Sequence, residues 1–222
     1  MGNRDLVKQR RKQEQSKKNL TSILIVGALI VVVVGIVIAT QYKPVGAIAT
    51  SDRVYEVEKV GLTLGSSDAP VKVVEFADFQ CPACKNYWLS LEPVIIEDYV
   101  KTGKVQYIYA PFSFLGRGQE WDESKKSAEA AYCANDQQMF WEYRDMIYVN
   151  HNGENGGAYS KERLIAFADT LGLDMDAFKS CFNSGKYTQA VEDANTFATS
   201  QGASYTPSFL IDGVIVNANE LI

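Results

Sequence analysis

The alternation of apolar and polar residues changes period along the chain. From Ile23 to Ala39 every residue is Ile, Leu, Val, Ala or Gly, and Leu20, Thr21, Ser22 and Thr40 extend the run to 21 uncharged positions. A helix on a soluble core would show a polar stripe, and this run has none. At a rise of about 1.5 Å per residue it reaches roughly 30 Å, the hydrocarbon thickness of a bilayer. A transmembrane helix over residues 20–40 is predicted. Residues 41–66 read as a stalk with one short strand, Val54-Tyr55-Glu56-Val57, followed by Gly61, Gly65, Ser66 and Ser67. Val71–Phe76, just after Pro70, is the first strong strand. A helix is predicted from Pro82 to Tyr99. Pro82 suits its first position, Pro93 should kink or split it, and Gly103 supplies a stop. Val105–Tyr109 is the next strand, so this region forms a βαβ unit with a right-handed crossover.

Between residues 120 and 200 the spacing becomes helical. Segments fall near Ser124–Ala134, Gln137–Val149, Lys161–Leu171, Met175–Ser184 and Thr188–Gln201, with Asn183-Ser184-Gly185 as a helix stop. Strand character returns at Ser208–Ile211 and Val214–Val216. The intervening Asp212-Gly213 tolerates the positive φ of a two-residue hairpin turn. An α/β unit and a hairpin therefore bracket about 80 helical residues. No internal repeat is visible.

Charge sharpens this picture. The net charge of −5 divides into about +5 over residues 1–40 and −10 over residues 41–222. An acidic body argues against a nucleic-acid partner, because phosphate binding needs a basic surface. The seven basic residues before the apolar run place residues 1–19 in the cytoplasm and 41–222 outside, by the positive-inside rule. Ala47-Ile48-Ala49 has the form of a signal-peptidase site. The apolar run, however, exceeds the usual signal-peptide core and the site lies well past its end, so a retained cell-membrane anchor is expected.

All four cysteines, Cys81, Cys84, Cys133 and Cys181, lie in the exported part, where disulfides are permitted. Spacing alone does not choose among the three possible connectivities. Cys81 and Cys84 stand three apart where a strand gives way to a helix, so they share one helix face. The free N–H groups and partial positive charge of a helix start stabilise a thiolate at Cys81. Such a thiolate attacks disulfides and leaves them readily, and Cys84 is placed to resolve the mixed disulfide. A zinc site would want four ligands. Cys133 and Cys181 are isolated and His151 is the only histidine, so no second half of a metal site is visible.

Three stretches carry a specific likeness. Asp68-Ala69-Pro70-Val71, then Val74-Glu75-Phe76-Ala77-Asp78-Phe79-Gln80-Cys81-Pro82-Ala83-Cys84-Lys85, then Tyr205-Thr206-Pro207-Ser208-Phe209 strongly resemble the DsbA family of thiol:disulfide oxidoreductases, over about residues 54–222. The resemblance implies a thioredoxin-like α/β fold at 67–222 with a helical insertion at about 120–200. Cys81 matches the nucleophile, Cys84 the resolving cysteine, and Pro207 a cis proline facing them with Thr206 before it. Taken alone, Pro207 reads as a trans proline opening an edge strand. Glu75 matches a position where family members can carry a buried glutamate that assists proton transfer; its bland reading is a solvated strand residue.

The resemblance further implies a dithiol oxidase acting on reduced cysteines of exported proteins, reoxidised by a quinone-linked membrane partner. No cofactor is expected. A reductase or isomerase shares this chemistry, although no dimerisation module is visible. A non-catalytic copper- or zinc-binding module is the rival from another class. Two departures stand out. Ala83 occupies the place of the thiolate-stabilising histidine of the best-known oxidase, which implies a weaker oxidant. The family also continues past the hairpin into a C-terminal helix, which residues 217–222 have room only to begin.

Cys133 and Cys181 flank the helical block. A structural disulfide between them is expected, with a second redox pair or two buried thiols as alternatives. Trp88, Trp121 and Trp141 read as core and groove walls. Asp78 reads as a capping or solvated residue, and His151 has no assigned role.

Overall fold

A computed structural model describes residues 20, 23–37 and 45–221. The chain divides into two compact units, Met1–Pro44 and Val45–Ile222. In the first, residues 23–37 are helical with exposed side chains. Among the described residues no helix is long and apolar enough to cross a membrane. The basic tail, and residues 21, 22 and 38–40 of the expected span, lie outside the described residues.

The second unit is built on a six-stranded sheet. Its strands are β1 (Lys59–Val60), β2 (Thr63–Leu64), β3 (Val71–Ala77), β4 (Val105–Pro111), β5 (Ser208–Ile211) and β6 (Val214–Asn217), in the order β1-β2-β4-β3-β5-β6. Only β3 and β4 run parallel, with Val71 opposite Val105 and Glu75 opposite Tyr109. β3 is central and covered on both faces, as its run of apolar residues requires. Val73 and Ala77 face the larger core with Tyr107 and Tyr109. Phe76 faces a smaller core with Phe112, Ala198 and Ala203. Asp212 and Gly213 both adopt positive φ, 48° and 82°, and close the β5–β6 hairpin.

The β3–β4 crossover holds α1 (Pro82–Ser90), α2 (Glu92–Ile95) and a π-helical turn over Ile96–Val100. The expected single helix is thus split, with Pro93 in the first turn of α2, where a missing N–H costs nothing. Five helices follow: α3 (Glu123–Asn135), α4 (Phe140–Val149), α5 (Lys161–Thr170), α6 (Met175–Ser184) and α7 (Thr188–Ser200). Their starts are chemically marked. The side chains of Asp122, Ser160 and Asp174 cap the first turns of α3, α5 and α6. Gly185, at φ 66°, ends α6. α7 covers the smaller core, where Phe197 meets Phe76 edge-on at 5.7 Å. Cys133 of α3 and Cys181 of α6 form a disulfide, as expected.

The strand expected at 54–57 does not form; β1 and β2 begin the sheet instead. Tyr55 is drawn into a buried ionic cluster. Its hydroxyl donates to Asp145 and accepts from Arg144, and Arg144 pairs with Glu92 through two contacts of 2.7 and 2.8 Å. Arg53 adds a bond to Glu92 and lies 4.5 Å over Trp88. Residues 45–53 are likewise bound to the body. Asn150 both donates to and accepts from the Ala49 backbone, and Arg163 holds the Val45 carbonyl. Side-chain bonds replace a ladder along this segment, so its one alternation of apolar and polar residues reports burial of Tyr55 and not a strand.

Candidate active site

β3 ends at Ala77, and four residues carry the chain from the sheet to the start of α1. Cys81 is the N-cap of that helix, with extended backbone (φ −74°, ψ 119°), and Pro82 occupies the first turn. Cys81 and Cys84 stand as free thiols, 7% and 0% exposed, so Cys81 is the one within reach of a partner. The Thr206–Pro207 bond is cis. The loop carrying it brings the Thr206 carbonyl to 3.2 Å from the Cys81 sulfur, which donates to it as a thiol. Cys81, Cys84, Thr206 and Pro207, read from sequence as one constellation, are therefore assembled by the fold.

The two thiols are unequal. The Cys81 thiol is pulled down to about 6, chiefly by the hydrogen bond from the Cys84 thiol, then by the Thr206 side chain and by the amides of Cys84 and Ala83; partial burial opposes this. Burial pushes Cys84 up, and a thiolate at Cys81 pushes it further. At neutral pH the reduced pair therefore carries its negative charge on Cys81.

Glu75 is buried, not solvated, and accepts a 2.6 Å bond from the Tyr107 hydroxyl. Burial raises it to about 8, and the nearby charge of Glu92 adds to this; Arg144 and the Tyr107 bond pull the other way. Glu75 thus carries a proton at neutral pH, and once ionised its charge raises Cys84 further.

Several residues of the site lie beyond local sequence reading. Asp78 is fully buried, so the solvated reading fails, although its carboxylate does cap the Gln80 amide. It also accepts from Ser124 and from the amides of Phe114 and Leu115, tying together β3, the loop after β4 and α3. Gln80 is buried too, bonded to Ser124 and Asn155. His151 reaches the Gln80 carbonyl at 2.8 Å. The only local signal is Asp78 two residues before Gln80, an Asx-turn spacing. Trp88 and Trp141 are core residues, and Trp121 donates to the Tyr159 carbonyl. Cys133 and Cys181 lie on α3 and α6 of the helical insertion and are bonded to each other. Among the described residues no group of three or more His, Cys, Asp or Glu is arranged to hold a metal ion.

Comparison with known proteins gives the family and the fold. The Thioredoxin family model matches residues 58–221. A Bacillus anthracis protein named "Probable disulfide bond formation protein D" is 32% identical over 157 residues, covering 70% of this chain and 71% of that one. Among solved structures, oxidised BdbD from Bacillus subtilis superposes with a TM-score of 0.64 at 21% identity, covering 75% of this chain and 90% of that one. DsbA from Chlamydia trachomatis gives a TM-score of 0.60 at 20% identity, covering 76% and 90%.

Proposed function

Because this chain belongs to the DsbA family of thiol:disulfide oxidoreductases, we propose that its Cys81–Cys84 couple works as a dithiol oxidase that introduces disulfides into exported proteins. The observation that carries the reading is Cys81 at the N-terminus of α1, its thiol held near 6. A stabilised thiolate favours the reduced couple, so the Cys81–Cys84 disulfide is the stronger oxidant for it.

In the forward direction a substrate thiolate attacks the Cys81 sulfur of the disulfide. The S–S bond breaks, and Cys84 leaves with the electron pair. Its raised basicity calls for a proton there, and protonated Glu75 is the nearby acid. A second substrate thiolate then attacks the substrate sulfur of the mixed disulfide, and Cys81 departs as the stable thiolate. The substrate loses two electrons and the enzyme gains them. A quinone-linked membrane partner removes them again.

The uncharged run 20–40 with its basic tail supports a single-pass anchor, cytoplasmic N-terminus and extracytoplasmic catalytic domain. Protease added to intact cells should then remove residues 41–222. A mature N-terminus at Thr50 would replace the anchor with a signal peptide. Ala83, in place of a histidine, favours the reductase reading. The reduction potential of the Cys81–Cys84 couple against glutathione decides between them. An oxidase requires a value well above that of thioredoxin, about −270 mV, and a value near that figure makes the protein a reductase.

A further inference from the structure

We propose that His151, in the loop after α4, is a positioning residue for the Cys81 thiolate: its ring N–H holds the Gln80 carbonyl and so fixes the peptide that aims the Cys81 sulfur at the first turn of α1. The inference rests on the reading of Cys81 as the attacking thiol and is independent of the direction of electron flow.

The peptide joining Gln80 to Cys81 is held at both ends. Its N–H donates to the Asp78 carbonyl at 3.0 Å. Its carbonyl lies 2.8 Å from Nε2 of His151. The Gly153 amide donates to Nδ1 of the same ring at 3.3 Å, so Nδ1 is the acceptor and Nε2 carries the proton. Gln80 is buried, and its side chain is already bound by Ser124 and Asn155. Without an N–H at position 151 the carbonyl would lose this partner, and a buried acceptor left unpaired turns to find another.

The loop grips the far side of Cys81 as well. The His151 carbonyl accepts from Nζ of Lys85 at 3.1 Å, and the Lys85 amide bonds to the Cys81 carbonyl at 3.1 Å. Tyr159, whose ring lies 6.3 Å from that of His151, reaches the Phe79 carbonyl at 3.2 Å. The helical insertion thus holds the backbone on both sides of the nucleophile. Amide N–H groups stabilise a sulfur only when it lies over them, so the tilt of the Gln80–Cys81 peptide governs how much of the helix-start effect Cys81 receives.

Two variants separate this role from simple packing. His151→Phe keeps a ring and removes the N–H, and His151→Gln restores a donor at about the Nε2 position. The thiolate absorbance of the reduced, purified full-length chain is titrated for each. His151→Phe should move the Cys81 midpoint up by about one pH unit, a tenfold lower thiolate-to-thiol ratio. His151→Gln should stay within threefold of the parent. A His151→Phe titration that matches the parent, or a His151→Gln shift as large as that of Phe, overturns the proposal. A parent titration that Cys81→Ser leaves unchanged overturns the reading of Cys81 as well, which distinguishes the two failures. The imidazole nitrogen shifts of the unmodified chain give a check that needs no variant: they should report the Nε2–H tautomer, and an Nδ1–H ring contradicts the proposal.

Discussion

The two cysteine pairs are held by different kinds of structure. Cys81 caps, and Cys84 lies in the first turn of, a helix that begins shortly after a central strand ends, with free amides and a neighbouring thiol to support negative charge. Cys133 and Cys181 join two helices, among Ala130, Ala131, Phe178 and Phe182, and are bonded to each other. Apolar surroundings offer a thiolate nothing, so the second pair is expected to be inert and the first reactive. The difference teaches that the place of a thiol in the fold, more than its sequence spacing, sets its chemistry.

The largest contrast is in turnover. Replacing Cys81 by Ser should cut peptide oxidation or insulin reduction by at least about 10³-fold, because no other described thiol has comparable activation. The melting temperature should stay within a few degrees of the parent. Replacing both Cys133 and Cys181 by Ala should do the reverse. Their bond closes a loop of 48 residues' separation, which stabilises by about 4 kcal/mol in the chain-entropy picture. That corresponds to a melting temperature roughly 8–16 °C lower by calorimetry, with exchange rates within a few fold at a temperature where the domain is folded. A double variant as stable as the parent but unable to pass electrons would erase the contrast and make this pair a second redox centre.

Acidity sharpens the comparison. With the Cys81 thiol near 6, alkylation of the reduced protein should be flat above about pH 7 and fall about tenfold per unit well below pH 6. An inflection near the ordinary cysteine value of about 8.5 would remove the helix-start argument. The smallest effect concerns Glu75. Its carboxyl is raised to about 8, so the folded state holds that proton more tightly than the unfolded chain. The associated stability is full below about pH 4.5 and is lost as pH rises through 8. Glu75→Gln should therefore melt a few degrees higher than the parent at pH 8, with the gap closing as pH falls toward 5. A gap that widens toward acid would mean that Glu75 is ionised in the fold.

Much of this was legible in the sequence, for local reasons. The helices α3, α5 and α6 begin at capping side chains and carry their own apolar stripe, so their positions could be read without tertiary information. The Cys81–Cys84 step was legible because a strand, two thiols and a helix follow one another within a few residues. What escaped notice depends on distant partners. Gln80 meets Ser124 across 44 positions and His151 across 71, and no local pattern encodes either meeting. Asp78 looked like a surface cap because its burial is created by the loop after β4 and by α3. Tyr55 looked like a strand residue because only the folded chain presents Arg144 and Asp145 to it.

The central claim is that Cys81 is the sulfur that joins to substrate and Cys84 the one that releases it. Replacing Cys84 by Ser removes the resolving thiol and should trap the intermediate. Mixing this variant with a peptide disulfide should accumulate one covalent adduct, and mass spectrometry of the digest should place it on Cys81. Absence of an adduct, or an adduct on Cys133 or Cys181, would contradict the account.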